Sequence, residues 1–473
     1  MIRRLAAALI SLAIVLGACA PAPTGSLPAT LSPALAASAA PVPTPAATAT
    51  PRPTPTPEPT PTVIARALVP VTNFRAPWTG VSADDVRAVG AGTSAQYGAV
   101  EVVESERDAV LAALSAELGQ ADPARMVLAP DAATLRADMA AHPDRLGFLL
   151  VDDVDPSVKA LDWNGVAMFG GDHVASLAAW PLMVQLTYPA GTAPDAPAVS
   201  YDPARAWTLV AGGDIMLDRG VAKTVKTDGK GVDFPFDGGT VKITSRCKDC
   251  SIFGWDLPRT ERTGNEGAVR TLFEGADLAI ANFENPAPDA FRYHSTGTVF
   301  SADPALIEGL ANAGIDWVSL ANNHIRDAGA NGVLQTIANL DRWGIAHSGA
   351  GADLAAARAP ALLEAGGQTI ALLGYDTIAG SYWATSSRVG SAPMTAANLR
   401  EDVAAARAAG ADVVIVFPHW GTEYDATPFA GQRALGEAAI DAGADMVIGN
   451  HAHWAAAMQV YEGKPIWYAL GNL

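Results

Sequence analysis

From Trp207 onward, short apolar runs alternate with amphipathic stretches of helical length. The runs at Thr208–Gly213, Leu278–Phe283, Trp317–Ala321, Ile370–Gly374, Asp412–Phe417 and Met446–Gly449, with another around Leu362, predict strands. The stretches Pro304–Ala313, Gly332–Trp343, Leu399–Ala409 and Arg433–Ala442 predict the helices between them. Strands that alternate with helices of this length imply a largely parallel α/β sheet covered by helices on its faces.

Residues Ala65 to Ala198 read differently, as shorter apolar runs broken by Gly, Pro and Asp. Val69–Phe74 and Leu146–Val151 predict strands, the second entering the acidic turn Asp152–Asp153, and Ser82 opens a helix as its cap. A smaller α/β accessory domain over residues 64–200 is expected, preceding a larger one over 205–473. The order of its segments weakly resembles a lobe of a periplasmic phosphate-binding-type module. It carries no constellation of metal, nucleophile or phosphate-loop residues.

The N-terminus fits neither pattern. Arg3 and Arg4 precede the apolar stretch Leu5–Leu16, which is too short to span a bilayer and ends in Leu16-Gly17-Ala18-Cys19. That tetrapeptide resembles the bacterial lipobox, so residues 1–19 are expected to be a lipoprotein signal, with Cys19 lipidated and the chain exported and held on the outer face of the cell membrane. Residues 20–63 hold 13 of the 34 prolines and only two charges, Arg52 and Glu58, the composition of a disordered, semi-rigid tether. The whole chain has 473 residues and a formal net charge of −18, which argues against nucleic acid as a partner.

In parallel α/β sheets, ligands sit beyond the carboxyl ends of the strands. Five predicted strands end in candidate chemistry: Asp214, Glu284, the run Asn322-Asn323-His324, His419, and His451-Ala452-His453. Half of the chain's 8 histidines lie at these points. Carboxylate oxygens and imidazole nitrogens without thiolates suit Mn²⁺, Zn²⁺ or Fe²⁺ in a reactive site, as one ion or two. A pair of ions bridged by a carboxylate would suit displacement at phosphorus. Taken singly, an Asp after a strand is usually a helix cap and a lone His a satisfied polar side chain; the five together are not.

The series Gly213-Asp214-Ile215-Met216-Leu217, Asn282-Phe283-Glu284, Ala321-Asn322-Asn323-His324 with Asp327 and Gly329, His419-Trp420-Gly421 with Glu423-Tyr424, His451-Ala452-His453 and Tyr468-Ala469-Leu470-Gly471-Asn472 resembles the CapA-type poly-γ-glutamate capsule synthesis family. That family is similar in fold to calcineurin-like metallophosphoesterases. The resemblance implies a four-layer α/β/β/α metallophosphatase-like domain and a divalent metal. It also implies a partner that is an anionic capsule-type polymer or its synthase complex. It further implies that Asp214, Glu284, Asn323, His419, His451 and His453 hold metal, with Glu284 bridging, and that His324 protonates a leaving group. Asn322 and Glu423 are the candidates for touching substrate.

One departure stands out. Metallophosphoesterases carry Asp-x-His on the first strand, where this chain has Asp214-Ile215-Met216 and so lacks one nitrogen ligand. Two readings therefore stay open: a metal-dependent hydrolase or transferase, and a non-catalytic metal-binding subunit of a polymer synthase or exporter. A third has residues 65–198 binding a small anion or partner.

Between the first two motifs lies a long polar insertion with Cys247-Lys248-Asp249-Cys250, which in an exported protein reads as a local disulfide. Trp420 and Trp454, beside motif histidines, are expected to wall the site. The chain stops within its last motif, from which a truncated carboxyl end is expected.

Overall fold

A computed structural model describes residues 60–118, 123–193, 200–249, 257–294 and 296–473. The signal segment, Cys19, nearly all of the tether and Cys250 lie outside the described residues. Among the described residues, no helix is long and apolar enough to cross a membrane.

The region beginning at Thr62 is a mixed sheet. Met126–Ala129, Ala99–Val103 and Arg145–Leu150 run parallel, and the long strand Thr62–Asn73 lies antiparallel to Arg145–Leu150 and to Val158–Ala160. Its first half pairs with Met183–Tyr188. Thr62 and Val63 thus open a strand, although composition put them in the tether. Ser82 caps the helix Ala83–Gly90 with a reciprocal capping box to Asp85, as expected. Val69, Val102, Leu114, Leu135 and Phe148 close a core of this region's own.

From Leu209 the strands build two further sheets. Ala346–Ser348, Trp317–Ser319, Leu278–Phe283 and Leu209–Ile215 form the first, all parallel. The second runs in the order Ala361–Ala365, Gln368–Asp376, Val413–His419, Met446–Ile448, Lys464–Trp467 and Met458–Tyr461, parallel in the middle with an antiparallel strand at each edge.

The period of two along each strand shows how the layers stack. In Leu278–Phe283, Ala279, Ala281 and Phe283 pack against the helices Ala268–Glu274, Ile307–Asn312 and Gly329–Trp343, while Leu278 and Ile280 face the other way. In Val413–His419, Val414 and Val416 meet the helices Ala396–Ala408 and Ala430–Asp441, while Ile415 and Phe417 turn inward. The inward residues of both sheets share one cluster, with Trp317 edge-on to Phe417 at 5.1 Å. These three apolar clusters separate four layers, helices, sheet, sheet, helices, which is the α/β/β/α arrangement anticipated above. Strands buried on both faces read as the continuous apolar runs seen in the sequence.

Helix ends differ from expectation by a few residues. The helix written as Gly332–Trp343 begins at Gly329, and Pro304–Ala313 resolves into a 3₁₀ turn, Pro304–Leu306, followed by Ile307–Asn312. The insertion contains an antiparallel hairpin, Val241–Cys247 with Leu257–Arg262.

Trp317 is fully buried at the centre, and its Nε1 has no hydrogen-bond partner among the described residues. Trp317→Ala should therefore cost about 3–5 kcal/mol, the range for deleting a core aromatic. Trp317→Phe keeps the ring contact and removes the unpaired N–H, so it should cost much less. Urea unfolding of both variants checks the order.

Candidate metal centre

All five strand ends meet at one edge of the two-sheet sandwich. Asp214 ends its strand between two backbone contacts: its N–H donates to Gly471 O at 2.9 Å, and its carbonyl accepts from Leu473 N at 3.1 Å. Gly213 makes that approach feasible, because a Cβ there would lie 1.9 Å from Gly471 O. The His-x-His turn is held in the left-handed region, with φ of 88° at His451 and 55° at His453, and Tyr424 follows at 64°. Non-glycine residues in this region carry strain of about 1–3 kcal/mol each and cluster at functional sites.

The side chains converge closely. His419 Nε2 lies 3.4 Å from Glu284 Oε1, 2.8 Å from Asn323 Oδ1 and 3.0 Å from His451 Nδ1. His453 Nδ1 lies 3.1 Å from Asp214 Oδ2, 3.6 Å from Glu284 Oε2 and 2.9 Å from Asn472 Oδ1. Three sets have their ligand atoms within 4.8 Å of one another: Glu284, His419 and His451; Asp214, Glu284 and His453; and Glu423, His451 and His453.

The electrostatics show what such a cluster lacks. Glu284 is buried, and neither carboxylate oxygen has a hydrogen-bond partner among the described residues. Burial, and then the charges of Asp214, Glu423 and Asp327, push its pKa well above the carboxylate range. Burial, and then the neighbouring imidazoles, hold His419 well below the usual histidine range; burial and His453 take His451 down to about 4. Burial lowers His453 as well, but its hydrogen bond and charge interaction with Asp214 outweigh that and leave it raised.

The lowered imidazoles of His419 and His451 facing each other, beside a Glu284 carboxylate that no described residue hydrogen-bonds, form a donor set deficient in positive charge. A divalent cation fits it, held by nitrogen from His419, His451 and His453 and oxygen from Asp214, Glu284, Asn323 and Glu423. Glu284, His451 and His453 each belong to two of the three sets.

Neighbouring side chains fix these groups. Asn282 Nδ2 donates to Asp214 Oδ1 at 2.7 Å and stands 3.2 Å from His419 Nδ1. His324 Nδ1 lies 2.8 Å from Asp327 Oδ2, and its Nε2 lies 3.2 Å from Asn323 Nδ2. Asp327 also accepts from Phe300 N and from the Tyr382 hydroxyl, each at 2.9 Å. The cleft outside the centre encloses about 800 Å³, lined by Arg219, Phe300, His324, Tyr382, Glu423 and Tyr424 among others.

Some expectations change here. Asn322 does not face substrate: it is fully buried, donates to Phe283 O at 2.9 Å and accepts from His324 N at 3.1 Å, so it shapes the loop that carries Asn323 and His324. Trp420 is no wall of the cleft either; it stacks on Tyr468 inside the apolar cluster of the second sheet, and its Nε1 donates to Tyr468 O at 2.9 Å. Trp454 instead receives the Arg246 guanidinium over its ring at 4.8 Å. Glu423 lines the cleft but also lies within ligand range of His451 and His453. Met216 lines the cleft as well. Cys247 is disulfide-bonded.

Sequence reasoning gave no role to Arg219, Asn282 or Tyr382. Asn282 sits two residues before Glu284 on the same strand face, and that spacing was a usable signal. Nothing local marks Tyr382, which is brought in by a loop.

Residues 208–473, more than half of the chain, match the family described as "Bacterial capsule synthesis protein PGA_cap". The chain belongs to this family. Among its relatives, "Capsule biosynthesis protein CapA" of Bacillus anthracis is 32% identical over 212 residues, covering 43% of this chain and 52% of the relative. The chain thus spans about half that relative's length. A "Probable polyglutamine synthesis accessory protein" of Mycobacterium tuberculosis is 30% identical over 289 residues, 56% of this chain and 73% of its own length. Among solved structures, a novel phosphatase of Mycoplasma pneumoniae is similar over 41% of this chain and 60% of its own at 16% identity, with a TM-score of 0.28.

In metal-free protein, a raised Glu284 pKa means that the folded state holds a proton the unfolded chain releases above the ordinary carboxylate range, so stability is lost as the pH climbs through that window. Glu284→Gln removes this cost. At pH 7 the metal-free variant should melt above the metal-free wild type, whereas Mn²⁺ should raise the melting temperature of the wild type and hardly move that of the variant. Gly213→Ala should separate Gly471 from Asp214 and weaken Mn²⁺ binding at least tenfold, read by titration.

Proposed function

We propose that this is an envelope-anchored, metal-dependent hydrolase or transferase that makes or processes a poly-γ-glutamate-type capsule polymer. The observation that carries this reading is the buried, unpartnered Glu284 at the meeting point of five strand ends, in a chain of the capsule synthesis family. Anchoring rests on the lipobox-like run ending in Cys19, and residues 64–200 are an accessory domain beside the metal domain. The relatives' names, capsule biosynthesis protein and polyglutamine synthesis accessory protein, favour work beside a polymer synthase.

A bound divalent cation would supply Lewis acidity for activating water and polarising a carbonyl or phosphoryl oxygen. The chain's own residues do the rest. Asp327 accepts a hydrogen bond from His324 Nδ1 and fixes the ring with Nε2 beside Asn323 Nδ2. In its imidazolium form, with Nδ1–H still held by Asp327, His324 would pass the Nε2 proton to a leaving group in the cleft. Tyr382 and the Phe300 N–H hold Asp327 in turn.

The reading is tested by incubating the Mn²⁺-loaded full chain with phosphodiester and γ-glutamyl substrates. Turnover is expected, and His324→Ala should lower kcat by about 10²–10⁴-fold with metal content unchanged. A second reading, a non-catalytic subunit, draws support from Met216 standing where an imidazole would complete the first-strand motif. It would be favoured if no substrate turned over and His324→Ala still supported polymer display on cells.

A further inference from the structure

The cleft beside the metal centre is acidic: Asp214, Glu284, Asp327 and Glu423 all line it. Among its described lining residues, Arg219 is the single lysine or arginine. Its guanidinium lies over the Phe300 ring at 4.5 Å, and the edge of the same ring meets His324 at 4.4 Å. Arg219, Phe300 and His324 therefore form one continuous wall next to the metal ligands.

Two features of Arg219 lack a structural purpose. Its backbone sits at φ 51°, a strained conformation for a side chain of this size. Its Nε is buried without a hydrogen-bond partner, and among the described residues no carboxylate pairs with the guanidinium. Arg219 as a whole is half-buried, so a partly sheltered cation stands without a carboxylate partner among the described residues, in a chain with 49 acidic residues. The stack on Phe300 holds the planar fork in place and leaves its remaining donors for a ligand.

We infer that Arg219 is the oxyanion-binding residue of this cleft, gripping a carboxylate or phosphate group of the substrate while Phe300 fixes its plane. This rests on the proposed function, because it takes the substrate of that same site to be anionic. It also answers a difficulty: a cleft lined by four carboxylates repels an anion unless fixed positive charge stands beside the reacting group. A guanidinium binds either oxyanion through two parallel N–H donors, which a lysine cannot reproduce. Phosphate and the α-carboxylate of a γ-linked glutamate chain share that chemistry and are told apart by the test.

Isothermal titration of the Mn²⁺-loaded full chain with inorganic phosphate, and separately with a γ-linked glutamate trimer, provides it. The wild type should bind at least one of them, and which one identifies the source of the oxyanion. Arg219→Gln should weaken that binding by about 10- to 100-fold, the loss of a charge-assisted hydrogen bond, with metal content and melting temperature unchanged. Arg219→Lys, which keeps the charge without the fork, should fall between the two and serves as the comparison if Arg219→Gln folds poorly. Wild-type affinity in both variants would overturn the role of Arg219 and leave the proposed function standing. Failure of both probes to bind the metal-loaded wild type would overturn the proposed function together with this inference.

Discussion

The fold brings a carboxylate, Glu284, to a buried place where no described residue hydrogen-bonds it. Burying an isolated ionised carboxylate is among the most costly arrangements a protein can hold, and the group would otherwise simply take up a proton. Around it stand imidazoles kept neutral by their own burial and by one another, and a second carboxylate, Asp214, already engaged by Asn282 and His453. Each of these costs would be relieved by a divalent cation held among Asp214, Glu284, His419, His451 and His453. Much of the surrounding architecture serves to hold this charge-deficient cluster together: the close pass of Gly471 over Gly213, the left-handed His451 and His453, and the asparagines behind the ligands.

This dependence explains why the apolar layers are so regular. Strands buried on both faces give a rigid two-sheet sandwich, and their shared direction puts the side chains that follow them on one edge. The site is assembled from sequence positions more than 200 residues apart, with His451 N donating to Asp214 across 237 positions. Such a centre tolerates little slack, since each donor atom must come within a few tenths of an ångström of its proper distance from the ion.

The strand runs and the five strand-end clusters were legible in the sequence because both follow from periodicity, which is local. Leu278–Phe283 was read with its observed limits, and Asp214, Glu284, Asn323, His419, His451 and His453 all come together. What escaped depended on direction and depth. Asn322 and Trp420 lie next to true site residues, yet their neighbours' turns send them into the loop scaffold and the apolar cluster. Glu423 reads from sequence as a substrate contact or a further carboxylate, and the positive φ at Tyr424 accompanies the loop that brings it to His451 and His453. Arg219 was invisible because an unpaired arginine is a property of its surroundings; the sequence shows only a residue five positions after Asp214.

The acidic balance of the chain also takes on a physical meaning. A protein of net charge −18 that handles an anion must concentrate positive charge at one point, and the described cleft provides two sources, the cation its donors fit and the guanidinium on Phe300. The most direct measurement is elemental analysis of the purified full chain after equilibration with Mn²⁺ or Zn²⁺ and removal of free ion. One or two ions retained per chain are expected, falling below one when Glu284 and His451 are both replaced. A wild-type protein that retains no ion under these conditions would contradict a metal centre at these five strand ends.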